Sequence, residues 1–379
     1  MIYFDNAATS FPKAPGTGKA VCDFLENASV NTNRGAYKMA YDADRLVFDT
    51  RTKLARLLGC GDSERVIFTS GVTASLNLFL MGGFFGEGDH IIISSMEHHA
   101  VTRPVLQLQK KGVSVSVACA GKNGILRPEE VEKYICSQTK AIIINHASNV
   151  CGRIAPIAEI GDIAKKNDLI FAVDSAQSAG VIPVSAEEMG IDFLAFSGHK
   201  GLLGPQGIGG FVISERLSKI LPPFTLGGTG SLSDSFEMPD FLPDKYEGGT
   251  LNLPGIAGLS HSLDFINEIG IENIRQKEIA LTDYLLEGLK SIPEARVTGG
   301  TEGERLSVIS LDFPGRDNSE ISFLLDNKSG IMTRVGLHCA PLAHKTLGTF
   351  PKGTLRVSFG YFNTFEEVDI FLKALKKLV

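Results

Sequence analysis

The sequence predicts an α/β protein: a large domain on a mainly parallel seven-stranded sheet, and a smaller α+β domain in the C-terminal part. Three observations predict it. From residue 65 to 214, short apolar runs rich in Val, Ile and Phe alternate with helix-length amphipathic segments, the pattern of parallel βαβ units. A stretch rich in Gly, Pro, Ser and Asp, residues 222–254, then breaks the pattern. Beyond it come long helical segments and a different alternation of strands and helices.

The apolar runs fall at 66–69, 90–94, 114–117, 141–145, 170–174, 193–197 and 209–213, each of strand length. Helical candidates between them include 73–85, 128–137 and 157–166. After the break, a helical region at 256–291 precedes a strand at 306–313 and a helix near 320–327. Strands around 331–334 and 354–358 and a closing helix at 366–378 complete the chain. At 379 residues, with a prior of about 150 residues per domain, two or three domains are expected. The large domain is assigned residues 12–255, and the small one 1–11 with 256–379.

A formal charge of −6 leaves no broad basic field for nucleic acid or anionic lipid, so neither is expected as a partner. No apolar segment reaches the ~18 residues of a membrane span. The opening Met1-Ile2-Tyr3-Phe4-Asp5 has no basic stretch leading into a long apolar run, so no secretory leader is expected. The six cysteines show no C-x-x-C pair and no zinc-type spacing, which points to a reducing, cytoplasmic location. Cys22, Cys60, Cys119 and Cys136 read as small core or surface residues.

The strongest local signal is Ser197-Gly198-His199-Lys200-Gly201, directly after an apolar strand. A lysine held there among small residues suits a Schiff-base role, since burial and nearby positive charge lower its pKa and free the amine. The alternative is a surface lysine in a Gly-rich turn. Asp174 ends another strand and should share the carboxyl edge of the sheet with Lys200, where ligands bind in open α/β sheets. A buried carboxylate there can keep a pyridine nitrogen protonated; the alternative is a helix cap. Ser70-Gly71-Val72-Thr73-Ala74-Ser75 lies between strand and helix, where backbone N–H groups can bind phosphate. It is not a P-loop, and no G-x-G-x-x-G follows a strand. In Met96-Glu97-His98-His99-Ala100 an imidazole could stack on an aromatic cofactor, and Asn149 could donate to a phenolic oxygen. Metal binding is the rival reading of the paired histidines, weakened because adjacent residues do not face each other on a helix.

On these motifs the chain resembles the fold-type I, class V aminotransferase-like enzymes, and specifically the NifS/SufS cysteine desulfurases, from Asp5-Asn6-Ala7-Ala8 to Arg356-Val357-Ser358. The resemblance implies pyridoxal 5'-phosphate (PLP) as cofactor, bound covalently by Lys200. Asp174 would pair with the pyridine nitrogen, and His98 would stack on the ring and share the proton transfers. Gln177 and Asn149 would contact the ring oxygen, and Thr73, Ala74, Ser197 and His199 would form the phosphate site. Thr250, in Glu247-Gly248-Gly249-Thr250, would reach the phosphate from a second subunit, which implies a homodimer. Arg334-Val335-Gly336-Leu337-His338-Cys339-Ala340 is similar to the loop that carries the nucleophilic cysteine in the SufS-like group. Cys339 would then take sulfur from L-cysteine as a persulfide, leave alanine, and pass the sulfur to an acceptor protein or thiol, as in iron–sulfur assembly. A selenocysteine lyase or another class V lyase or aminotransferase is the alternative. Arg356 matches the position that binds the substrate carboxylate, a task suited to a planar guanidinium fork. Arg334 is either a loop-positioning residue or a second substrate contact, and entry of Cys151 into the pocket stays open.

The chain departs from the family pattern at Val72-Thr73-Ala74-Ser75, where many SufS-like proteins have Thr-Thr-Glu-Gly. It departs again after the nucleophile, at Pro341-Leu342-Ala343-His344. Asn31-Thr32-Asn33-Arg34-Gly35 also lacks the histidine often found before that Arg-Gly.

Overall fold

Strands buried on both faces need a partner at each side and helices above and below, and the apolar runs of this chain meet that need in one sheet. The computed structural model describes residues 1–33 and 35–379; Arg34 lies outside the described residues. Its first elements are β1 (Ile2–Tyr3), α1 (Thr17–Asn27), α2 (Lys38–Leu57), β2 (Val66–Thr69), α3 (Val72–Met81), β3 (His90–Ser94), α4 (His99–Gln109) and β4 (Ser114–Ala118). Next come α5 (Pro128–Glu132), β5 (Thr139–Asn145), α6 (Ile157–Lys166), β6 (Ile170–Asp174), β7 (Phe193–Ser197), β8 (Gly209–Ile213), α7 (Glu215–Ser218), α8 (Leu253–Ile269) and α9 (Ile271–Leu289). The remainder is β9 (Arg296–Val297), β10 (Val308–Asp312), α10 (Asn318–Ser329), β11 (Ile331–Met332), β12 (Arg334–Gly336), α11 (Pro341–Leu347), β13 (Thr354–Ser358) and α12 (Phe365–Leu378).

The seven-stranded sheet runs β2-β8-β7-β6-β5-β3-β4. Neighbours from β4 through β7 are parallel, and β8 is antiparallel to both β7 and β2. The short link from β7 to β8 holds no crossover helix, so the chain can only return antiparallel. One consequence positions the site: the carboxyl ends of β3, β5, β6 and β7 meet at one edge.

A four-stranded antiparallel sheet, β12-β13-β10-β9, lies in the C-terminal part. The N-terminus joins it, since β1 pairs with β11 and Phe4 packs with Leu285, Ile309, Val357 and Phe371 in one core.

Element ends follow local chemistry. The helix expected at 73–85 stops at Met81, because Gly82 and Gly83 follow it. The helix expected at 128–137 closes after one short turn region at Glu132. The helical region at 256–291 is two helices, split at Gly270, whose φ of 85° glycine alone adopts readily. The strand expected at 331–334 is likewise two, β11 and β12. Among the described residues no helix is long and apolar enough to cross a membrane.

Candidate active site

The sheet's carboxyl edge delivers the site. Asp174 closes β6, level with Asn145 at the end of β5 and Ala195 in β7. Lys200 follows β7 by three residues, His98 caps α4 just past β3, and Gly71 turns β2 into α3. Together they wall a cavity of about 260 Å³. Thr73, Ala74, His98, Asn149, Asp174, Gln177, Ser197, His199 and Lys200 all line it.

Burial pulls the Lys200 amine down to about 8, against the Asp174 carboxylate, which raises it; Arg356 adds to the lowering and Cys339 opposes it. Asp174 is 5% exposed, and burial raises its carboxyl while the Ala176 N–H, 2.9 Å from Oδ1, and Lys200 restrain the rise. That local turn is all that remains of the capping alternative, since no helix follows Asp174. His98 falls to about 4, mainly by burial and then by Lys200. Its Nδ1 accepts from Ala100 N at 3.1 Å, so the ring is neutral at pH 7.

The end of the cavity at the start of α3, where phosphate is expected, is walled by backbone. Gly71 sits at φ 144°, a conformation that costs other residues strain, and the N-terminus of α3 opens toward the cavity. The His199 ring is fixed by Thr9 Oγ1 at 3.1 Å from Nδ1, and Lys13 Nζ donates to the His199 carbonyl at 2.8 Å. Gln177 Nε2 donates to the Ala7 carbonyl at 3.0 Å. Asn149 also lines the cavity; its Nδ2 donates to the His338 carbonyl at 2.6 Å, and its inaccessible Oδ1 has no partner among the described residues. A cavity that holds a buried acid, the backbone N–H groups of a helix N-terminus and a lysine amine fits the polar rim of PLP. Thr250 lines a separate cavity of about 410 Å³ that shares Ser70 and Ala74 with the first.

Cys339 is exposed on the loop after β12. His338 and Cys339 stand at φ 47° and 57°, consecutive left-handed residues that no glycine relieves. Arg356 is 2% exposed; its guanidinium donates to the Asn149 carbonyl at 3.0 Å and to Asp5 Oδ1 at 2.8 Å, and its buried Nε has no partner among the described residues. Arg334, its strand partner, reaches the same carboxylate, with Nε 2.9 Å from Asp5 Oδ2. Neither arginine is among the residues lining the lysine cavity. Cys151 is 1% exposed, packed against Gly299, and does not line it either.

Two residues escape sequence reasoning. Asp5 joins both arginines across more than 300 residues, a link no local pattern carries. Glu97 is wholly buried beside Asp174; burial raises it to about 8, its Oε1 accepts from Ser94 Oγ and from Asn145 N at 2.9 Å, and Oε2 has no partner among the described residues. An acid shortly after an apolar strand and just before the paired histidines was the available signal.

The profile of the family described as aminotransferase class-V matches residues 2–371. A protein of Methanothermobacter thermautotrophicus described as a probable cysteine desulfurase is 33% identical, over 100% of this chain and 94% of its own length. The apo structure of a cysteine desulfurase from Thermococcus onnurineus superposes with a TM-score of 0.93 at 34% identity, covering 100% of this chain and 94% of that one. The cysteine desulfurase CsdA of Escherichia coli, in an S-sulfonic acid form, gives 0.89 at 29% identity, covering 99% and 94%. By these matches the chain belongs to the class V aminotransferase family and, within it, to the cysteine desulfurases.

Proposed function

We propose that Lys200 holds PLP and that Cys339 accepts sulfur from L-cysteine, the residue-level form of the activity this enzyme carries: it is a cysteine desulfurase. One observation supports the assignment above others. Lys200 and Asp174 wall one cavity, where burial lowers the Lys200 amine to about 8 against the field of Asp174, and the charge of the exposed Cys339 on the neighbouring loop still reaches the amine.

Asp174 would meet the pyridine nitrogen, His98 would cover the ring, Asn149 and Gln177 would face the ring oxygen, and Thr73, Ala74, Ser197 and His199 would surround the phosphate. Bound there, PLP would supply an electron sink for the substrate's α-carbon. Arg356 would orient the substrate carboxylate, with Arg334 shaping the loop. Lys200, titrating near the working pH, carries the α-proton better than His98, which stays neutral and whose Nδ1 is already occupied. The Cys339 thiolate then attacks the substrate Sγ. An S–S bond forms, the Cβ–Sγ bond breaks with its electron pair left on carbon, and protonation yields alanine and a Cys339 persulfide.

The loop sequence supports the SufS-like group. The separate position of Thr250, in a cavity adjoining the phosphate end, is compatible with a homodimer in which each subunit completes the other's site. Transfer of the sulfur to an acceptor protein or thiol, as in iron–sulfur assembly, and a cytoplasmic location belong to the same reading. So does a division into a large domain, 12–255, and a small one, 1–11 with 256–379.

Borohydride trapping tests the lysine. After incubation with PLP and reduction, the mass of the cofactor should appear on the peptide that contains Lys200 and vanish in Lys200→Ala. Its appearance on a peptide containing Lys13 instead would refute the assignment.

A further inference from the structure

Lys13 is a half-buried cation with no carboxylate beside it among the described residues, and burial lowers its amine to about 8. At pH 7 it is still mostly an ammonium, with three protons to give and no lone pair to accept. Each proton has a taker: Nζ donates to Thr9 Oγ1 at 3.1 Å, to Ser10 Oγ at 3.0 Å and to the His199 carbonyl at 2.8 Å. The His199 carbonyl also accepts from Ser10 N at 3.0 Å, and Ser10 Oγ crowds it at 3.2 Å. Two N–H donors fill the two lone pairs of that oxygen.

The Thr9 hydroxyl is left with one free acceptor. Its Oγ1 lies 3.1 Å from the same carbonyl and 3.1 Å from His199 Nδ1, and it has a single proton. With the carbonyl filled, that proton goes to Nδ1, and the Lys13 bond to Oγ1 polarises the hydroxyl in that direction. The His199 ring is neutral at pH 7, since burial, then Lys200 and Lys13, lower it to about 4. A neutral imidazole that accepts at Nδ1 carries its proton on Nε2. Nε2 has no partner among the described residues and is not sealed from solvent, and His199 lines the lysine cavity together with Gly71, Val72 and Thr73 at the start of α3.

We propose that Lys13, acting through Thr9, is the positioning residue that holds His199 in its Nε2–H form and so gives the cavity a fixed donor for the phosphate of the cofactor. An imidazole protonated at Nδ1 would meet the phosphate with a lone pair, acceptor against acceptor. The inference rests on the assignment of the cavity to PLP. It adds where the proton of the ring sits and which residues outside the cavity put it there.

The tautomer can be read directly, by magic-angle-spinning NMR of protein carrying histidine labelled at its ring nitrogens, the His199 signals being those missing from His199→Gln. Without cofactor, the wild type should show Nδ1 as a bare ring nitrogen and Nε2 as an N–H; the reverse would overturn the proposal. Lys13→Met keeps the stem and removes the donors, which frees the carbonyl for the Thr9 proton, so an Nδ1–H form should appear. A ring still wholly Nε2–H in that variant would show that Lys13 does not set it. Binding gives a second measurement, in which PLP is compared with pyridoxal, which lacks the phosphate. Lys13→Met and Thr9→Val should each raise the Kd for PLP about tenfold, the low end of what a hydrogen bond to a charged group provides, and leave that for pyridoxal unchanged. Made in His199→Ala, either substitution should weaken PLP no further, because the ring through which it acts is gone. A full loss in that background, or equal losses for PLP and pyridoxal, would overturn the proposal, since Lys13 would then act on the peptide that carries Lys200. A wild type that binds neither compound would instead remove the cofactor reading beneath it, on which the tautomer of the empty protein does not depend.

Discussion

Glu97 is buried as a neutral acid, and its consequence for stability has a definite sign. A carboxyl raised to about 8 in the fold against ~4.3 in the unfolded chain binds more protons when folded. The stability it contributes is full at low pH and is lost as pH rises from the unfolded value through about 8. Glu97→Gln keeps the acceptor for Ser94 and Asn145 and cannot ionise. It should match the wild type in thermal unfolding near pH 4.5 and exceed it by more than ~1 kcal/mol at pH 8, one unit of pKa being worth ~1.4 kcal/mol. Parallel curves for the two proteins across that range would mean that Glu97 is not held neutral. Lys200 shows the converse use of burial: lowering an amine makes a proton carrier out of a group that water would keep charged.

Elements are placed by close approaches that single residues permit. Gly161 in α6 lies where a Cβ would stand 2.0 Å from the Met189 carbonyl, which is backbone and cannot yield. Gly161→Ala should cost roughly 1–3 kcal/mol in denaturant unfolding, the range of buried overpacking, by forcing α6 away from the segment of Met189. A loss below ~0.5 kcal/mol, ordinary for surface changes, would contradict that packing. The positions of the seven large-sheet strands were legible because each is a continuous apolar run bounded by turn residues. The direction of β8 was not, because Gly209–Ile213 is buried on both faces and reads alike in either sense. Two-residue strands such as β1 and β9 carry no periodicity to read. At the site, Lys200, Asp174 and His98 were legible because each follows a strand that points at the same edge. Thr250 was legible as a motif, yet its separate cavity depends on how the loop folds back on β2, which no spacing reports.

At the scale of the molecule, the N-terminal segment ties the C-terminal sheet to the site. Asp5 bridges to Ser358, accepts from both Arg334 and Arg356, and so neutralises a nearly inaccessible guanidinium. Removing one partner of a buried pair leaves a charge without compensation. Asp5→Asn should therefore lower stability by about 3–5 kcal/mol and raise the KM for L-cysteine through a displaced Arg356. Unfolding and steady-state kinetics near wild type would show that the arginine finds its place without Asp5. The same geometry lets the loop of Cys339, carried by the small sheet, be held by residues of the large one.

The most direct test of the whole account is to give L-cysteine and a reductant to the PLP-loaded wild type and Cys339→Ser and to assay sulfide and alanine together. Equal amounts of both products from the wild type, with neither from a variant that still absorbs as the PLP-bound protein, are expected. Sulfide and alanine from Cys339→Ser at the wild-type rate would contradict the assignment of Cys339 as the sulfur acceptor.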